Sequence, residues 1–421
     1  MLSVSVAPQA MEVGRWVGTV RAQVADSMPG LRAVLTSISS RVSFQSIRLA
    51  VPPVAIVANP WSTADFVAAA MALDLIAHEF DLEFVGGFAA NALNHPTATA
   101  LVNSLPEVLY TTRRLCAFLN VGDSISGLLP GPVRQSVQVL RQLALCNDAK
   151  GADAMARFAV TANAVGGTPF MPMGHGQRDD GRRAISIGVG CTEYLVQRLE
   201  SEPASVDLTH AGRVVTDLLA HLAQEANTLA IDIERSTNLT CDVIDLSVAS
   251  VPTNPIASVG RLLRAMNTNL TEVGALTAIS IINRAIRDAA RGIPRMAGLS
   301  RVFISVTEDP AMRDATERHY LNLDKLLALT SVCSVGLDMV ALGDSTSDSC
   351  LEALMSDQLA IGCAADKPVS VRLILVPDET KGMPFENALF GTATPLQINN
   401  PSSFNTGEGP LRLYCPLRLM N

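Results

Sequence analysis

Three stretches of this 421-residue chain join turn-forming glycines to side chains able to donate, accept or attack. The first is NVGDSISG, 120–127, which follows Cys116 at close range. Gly122 and Gly127 suit tight turns, and Asp123, Ser124 and Ser126 with successive amides would form a nest for an anion. A turn capped by its own Asp and Ser side chains is the plainer reading of the same residues. The second is TANAVGGTPFMPMGHGQ, 161–177, where Asn163 closes a strand and His175 stands between Gly174 and Gly176. An imidazole held there titrates near neutrality and would serve as acid or base, whereas a loop histidine bonded to a carbonyl is the bland alternative.

The third stretch is SVCSVGLDMVALGD, 331–344, with a thiol at Cys333 and a carboxylate at Asp338. Strand alternation over 332–342 puts Cys333, Val335, Leu337 and Met339 on one face and Gly336, Asp338 and Val340 on the other. The two groups then form no adjacent pair unless a bulge at Gly336 shifts the register. A buried cysteine is usually a small hydrophobe. An aspartate within an apolar strand is the odder residue, because it needs a partner or several donors to offset desolvation. Asp245, in VIDLSVA, has the same character, while Glu308-Asp309 after FISVT reads best as a helix cap.

The separations of these carboxylates match no metal signature, and none of the eight cysteines forms a C-x-x-C pair. The chain also has no G-x-G-x-x-G, Walker A loop, H-E-x-x-H or G-x-S-x-G. No metal and no cofactor is expected, and scattered free thiols suit a reducing compartment.

Positioning these groups requires a scaffold. Ten apolar or β-branched runs read as strands: 2–7, 47–58, 83–88, 114–121, 156–165, 183–190, 241–249, 301–307, 332–342 and 369–376. Helical periodicity fills most intervals, at 11–40, 63–80, 97–105, 133–146, 205–230, 256–266, 271–291 and 322–331. Strands alternating with helices give parallel pairing through crossovers, hence an α/β fold. Several strands are apolar on both sides, as a helix-covered sheet or barrel demands.

No linker or repeat divides the chain, so one domain over 1–421 is expected, with halves at about 1–200 and 205–398 and a loop or tail at 399–421. Apolar residues are 48% of the chain and charged ones 17%, which excludes disorder. A net charge of −8 without a basic stripe argues against nucleic acid as a partner. Mean hydropathy is +0.28, yet charged residues break every apolar segment before a span of roughly 20 residues accumulates, so no membrane partner is expected. The start, MLSVSVAPQAME, lacks the basic and apolar regions of a signal peptide and reads as a first strand, which points to the cytoplasm.

EFVGGF at 83–88, NVGDSISG, ANAVGGTPFM, VIDLSVA, LNLDKL at 321–326, CSVGLDM at 333–339, AIGC at 360–363 and LFGTATPL at 389–396 occur in a specific order. That ordered set resembles a bacterial and archaeal family often labelled pyruvate-formate-lyase-like (domain of unknown function 711), over nearly the whole chain. The resemblance implies a fold similar to glycyl-radical enzymes, a ten-stranded α/β barrel of two five-stranded parallel halves. Radical chemistry does not follow. Those enzymes carry an R-V-x-G-[FY]-like motif near the C-terminus, which RLILVPDE and LFGTATP do not reproduce, so Gly391 has no claim to a radical.

The resemblance also implies site roles for Cys116, Cys333 and His175, which fall on typical cysteines and a typical histidine of the family, and for Asn163, Asp123, Asp245 and Asp338. This chain departs from the family pattern at GGT, 166–168, at QRDDGRR after His175, and at Cys191, so its pocket differs. The expected function is a non-radical cytosolic enzyme acting on a small polar or carboxylate-bearing metabolite in the barrel mouth. Cys116 or Cys333 would supply a thiolate or proton carrier, His175 an acid or base, and 120–127 donors to an oxyanion. The alternative is a metabolite or amino-acid sensor without turnover, which suits the small ACT-type regulatory partner that the family implies. A homo-oligomeric scaffold is a third reading.

Overall fold

The computed structural model describes residues 1–4, 11–40, 42–58, 61–93, 98–146, 148–176, 182–203, 207–333, 335–398, 404–407 and 409–413. Its ten-stranded sheet comprises β1 (Leu2–Ser3), β2 (Leu49–Ala50), β3 (Val85–Asn91), β4 (Leu115–Asp123), β5 (Gly127–Leu128), β6 (Phe158–Ala162), β7 (Ala184–Gly188), β8 (Thr240–Asp245), β9 (Gly336–Gly343) and β10 (Val369–Val376). The order is β8-β7-β1-β2-β3-β4-β6-β10-β9, with β5 folded back on β4. β1, β2, β3, β4 and β6 are mutually parallel. The parallel pairs β7–β8 and β9–β10 flank them in the opposite direction. The molecule is thus a mixed α/β protein with a mostly parallel sheet.

Strands β9 and β10, GLDMVALG and VSVRLILV, are buried at every position. Continuous apolar runs are what such two-sided cover requires. Crossover helices supply it. Thr63–Glu79 joins β2 to β3 and starts at a capping box, in which Ser62 accepts from the Asp65 amide while Asp65 reaches back to the Ser62 amide. Its core face holds Phe66, Ala69, Ala70 and Leu73 with no exposed surface. Burying a side chain such as Leu73 contributes about 1.5–3 kcal/mol, and truncating Phe66 to alanine would cost about 3–5 kcal/mol.

Several expectations are corrected. Of the run 47–58 only Leu49–Ala50 is strand, because Pro52 and Pro53 lack amide donors and Val54–Ile56 turns into a 3₁₀ helix. Segment 301–307 is not a regular strand, although Val302 bridges Val248 and Ser305 bridges Asp338, each in parallel sense. The tenth strand is the short β5 instead. Helix Leu323–Val332 runs through Val332, Cys333 caps its C-terminus, and β9 begins only at Gly336. The strand alternation drawn between Cys333 and Asp338 therefore does not apply. Gly336 has φ +87°, and a methyl on it would stand 2.2 Å from the Ser370 carbonyl oxygen.

Among the described residues no helix is long and apolar enough to cross a membrane. Residues 5–7 of the expected first strand, most of QRDDGRR and most of the expected tail lie outside the described residues.

Candidate functional site

The three stretches singled out in the sequence meet through one chain of hydrogen bonds. Asn163, at φ +53°, accepts from the Ser124 amide at 2.9 Å and its hydroxyl at 3.2 Å. Its amide group donates to the carbonyls of Gly362 at 3.1 Å and Lys367 at 3.0 Å. The Lys367 ammonium in turn donates to the carbonyls of Thr330 at 2.6 Å, Ser331 at 2.9 Å and Cys333, closing the C-terminus of helix Leu323–Val332. Burial draws the Lys367 pKa down to about 8. Asn163 is thereby a staple with both ends of its amide occupied.

The nest at 120–127 is filled from within. Asp123 Oδ1 accepts from the amides of Ile125 at 2.8 Å and Ser126 at 2.5 Å, and the Ser126 hydroxyl lies 3.4 Å from Oδ2. The amides that would greet an anion are thus bonded to the loop's own carboxylate, an Asx-type turn.

Loop 163–176 packs along the sheet and touches several of its strands. The Gly176 amide donates to Val51 at 2.9 Å, and Arg48 donates to the Pro169 carbonyl at 3.2 Å. A methyl on Gly86 of β3 would lie 2.0 Å from the Gly174 carbonyl oxygen, so only glycine allows this approach. Thr168 donates to Asp245 at the end of β8, and Met173 packs with Leu299, Phe303 and Val335.

His175 rides on this loop with its ring centroid 5.1 Å from that of Phe118 on β4. Its Nδ1 lies 2.8 Å from the Met173 carbonyl oxygen, which only accepts, so Nδ1 carries the proton and Nε2 keeps a lone pair. Burial pushes its pKa below the usual value, against the opposing pull of the Met173 bond. Part of the residue nevertheless remains accessible.

Asp338 has the partner that its apolar strand demanded. Arg372 on β10 donates to both its oxygens, Nη2 at 2.8 Å, and also reaches Glu308 at 3.2 Å and the Ala156 carbonyl at 3.2 Å. Burial raises the Glu308 pKa, with Arg372 pulling it down and Asp338 pushing it up. Glu308 too keeps some accessible surface, 14% of its side chain. Asp245 is fully buried and accepts from Ser247, Leu299, Ser300 and Thr168. It fastens the end of β8 to 298–300, and burial raises its pKa despite those bonds. Asp309 caps helix Pro310–Glu317 through the Ala311 and Met312 amides, as read from the sequence.

Cys116, Cys191 and Cys333 are walled in. Burial pushes the Cys116 thiol up to about 12, against the charges of Arg157, Arg48 and Arg372, and pushes Cys191 equally far. Cys333 is raised by burial as well, with Lys367 opposing. These thiols hold their protons at neutral pH and are poor nucleophiles. Among the described residues no group of three or more His, Cys, Asp or Glu side chains could hold a metal ion.

Sequence reasoning passed over Arg372 and Lys367. The arginine inside VSVRLILV is as anomalous in an apolar strand as Asp338, and pairing the two anomalies would have found it.

A mostly parallel ten-stranded sheet with crossover helices and a histidine-bearing loop packed along it defines the class: a mixed α/β protein. Residues 11–386 match the family model described as Uncharacterised ACR (DUF711), and the chain belongs to that family. It is 32% identical over 360 residues to a UPF0210 protein of Lacticaseibacillus casei, covering 84% of this chain and 76% of the relative. A UPF0210 protein of Thermoanaerobacter sp. is 30% identical over 383 residues, covering 89% and 83%. One from Methanosarcina barkeri is 31% identical over 382 residues, covering 88% and 83%.

Proposed function

We propose that this chain is a non-radical cytosolic enzyme that takes a small polar or carboxylate-bearing metabolite into a recess inside the sheet and transfers protons with His175 and Glu308. One observation carries the reading: burial pushes two partly accessible groups in opposite directions, lowering the proton affinity of the imidazole and raising that of the carboxyl. Pairs of titratable groups separated in this way mark acid and base roles. Support comes from β4, where Phe118 lies beside the His175 ring and Cys116, two residues earlier, feels the charge of Arg372, the partner of Glu308.

In this reading His175 Nε2 takes a proton from the substrate and becomes imidazolium, while the Glu308 carboxyl gives its proton to the oxygen where charge develops. Delivery of the His175 proton to the neighbouring carbon, with a hydroxyl proton passing back to Glu308, completes an isomerisation without oxidant or reductant and restores both groups. Arg372 positions Glu308, and the cysteines are proton-holding walls.

The same reading has the sheet closing into a barrel like that of pyruvate formate-lyase. It is supported by the Val248–Val302 and Ser305–Asp338 bridges, which lie between the edge strands β8 and β9. A thermal-shift screen of polar and carboxylate metabolites, then NMR of each hit with the protein, tests the function. Wild type should convert a hit, and His175→Asn and Glu308→Gln should each slow conversion by about 10²–10⁴-fold while still binding it. A hit recovered unchanged from wild type overturns catalysis and supports the sensor reading, which the protonated thiols favour. An ACT-type partner or self-association would belong to that second reading.

A further inference from the structure

We propose that a cavity at the end of the sheet where β2, β3, β4 and β6 begin binds a phosphate-bearing small molecule. It encloses about 810 Å³, within the ~300–1,000 Å³ range of small-molecule sites. Ile47, Glu83, Arg114 and Arg157 line it, each one or two residues before β2, β3, β4 or β6 begins. The segment 386–388 forms a further wall.

The charge balance in this cavity favours an anion. Its carboxylates are mostly engaged already: Asp153 accepts from Arg157 at 3.1 Å and the Asn387 amide at 3.0 Å, Glu83 from Arg48 at 3.3 Å, and Asp81 from Arg32 at 3.5 Å. The side chains of Arg113 and Arg114 have no hydrogen bond or ion pair among the described residues. Lys150 rests 4.1 Å from the centre of the Tyr110 ring, also without a carboxylate. The lining holds five cations and four carboxylates, a surplus of one positive charge, and of the carboxylates only Glu386 has no partner among the described residues to set against Arg113, Arg114 and Lys150.

The two arginines are also held in place. Asp74 accepts from the Arg113 amide at 3.1 Å and the Arg114 amide at 2.7 Å, which fixes the point from which both side chains leave. Buried Arg157, bonded to the Leu109 and Leu115 carbonyls at 2.7 and 2.9 Å and paired with Asp153, forms a rigid floor beneath them. Adjacent guanidinium forks with an ammonium match a dianionic phosphate better than a single carboxylate. Phe44, Ile47 and Leu82 offer an apolar wall for the rest of the ligand.

Calorimetric titration of the full chain with ADP, pyrophosphate and succinate tests the assignment, at 50 and 200 mM salt. ADP and pyrophosphate should bind, more weakly at the higher salt, and succinate at least tenfold more weakly than ADP. Arg113→Gln/Arg114→Gln and, separately, Lys150→Gln should each weaken ADP at least tenfold with unchanged urea midpoints. Arg284→Gln, which removes an exposed cation outside the cavity, and His175→Asn should leave ADP binding as in wild type. No binding of either phosphate at millimolar concentration, equal binding by the double variant, or succinate binding as tight as ADP would each overturn the proposal.

Discussion

Arg372 on β10 holds Asp338 on β9 through both carboxylate oxygens, and both side chains are buried, at 7% and 1% exposure. Neither residue is tolerable there alone, since an unpaired buried charge is far costlier than the pair. Arg372→Met should lose about 3–5 kcal/mol of stability, because the buried Asp338 is then left without its counter-ion. The double variant Arg372→Met/Asp338→Leu should recover a good part of that loss. Urea denaturation of both proteins checks the coupling. Equal losses would mean the ion pair is not the source.

His175 makes stability depend on pH on the acid side. Its folded pKa lies below the unfolded value of about 6.5. The folded protein therefore binds the proton less readily than the unfolded chain. The stability this group contributes is complete above that unfolded value and is lost as pH falls toward the folded pKa. His175→Asn, which can still donate to the Met173 carbonyl, should show a smaller drop between pH 7.5 and 5.5. Identical profiles in urea melts would contradict the burial of the imidazole.

Glu308 works in the other direction. Its folded pKa is raised, so its contribution is full below the ordinary carboxylate range and declines as pH rises through the folded value. Glu308→Gln should therefore gain on wild type as pH increases from 4 to 8. A constant difference across that window would show that Arg372 fully compensates the burial.

The sequence was most legible where one residue type broke a clear pattern. Asp338 in an apolar run announced a partner, and Asp309 announced a cap. Helix Asp348–Ala364 escaped notice because ten of its seventeen residues are buried on several sides, which erases the one-sided periodicity by which helices are found. The helix at 322–331 was legible, but the strand expected over 332–342 starts four residues early, because the apolar residues of Leu323–Val332 run straight on toward β9 and a short apolar stretch has no period of its own. What the sequence could not convey was the path of loop 163–176. Its contacts reach from Val51 to Val335, and nothing local in those residues encodes them.

The thiols give a chemical test of the interior. At pH 8 a thiol with a pKa of about 12 is ionised to roughly one part in ten thousand, and Cys116 and Cys191 are also shielded. Exposed Cys146 should be alkylated by iodoacetamide within minutes in the native protein. Cys116, Cys191 and Cys333 should react only after denaturation, as read by peptide mass spectrometry. Rapid native labelling of Cys116 would return it to the role of nucleophile.

Gly86 ties the sheet to the histidine loop, and its replacement separates packing from chemistry. A methyl there meets the Gly174 carbonyl oxygen at 2.0 Å and the Met171 sulfur at 2.4 Å. The first contact is with backbone, so the loop rather than a flexible side chain must move. Gly86→Ala should lower stability by about 1–3 kcal/mol and speed hydrogen exchange at the Gly174 and Gly176 amides, whose bonds to Phe170 and Val51 hold the loop down. Gly131→Ala, in helix Pro130–Ala144 with nothing within 4 Å of the added methyl, is the control and should be neutral or slightly stabilising. If Gly86→Ala left exchange at 174 and 176 unchanged, His175 would not be positioned by contact with β3, and the recess would need another explanation. If exchange rose while ADP binding stayed constant, the two ends of the sheet would be mechanically separate, as two sites built on different loops require.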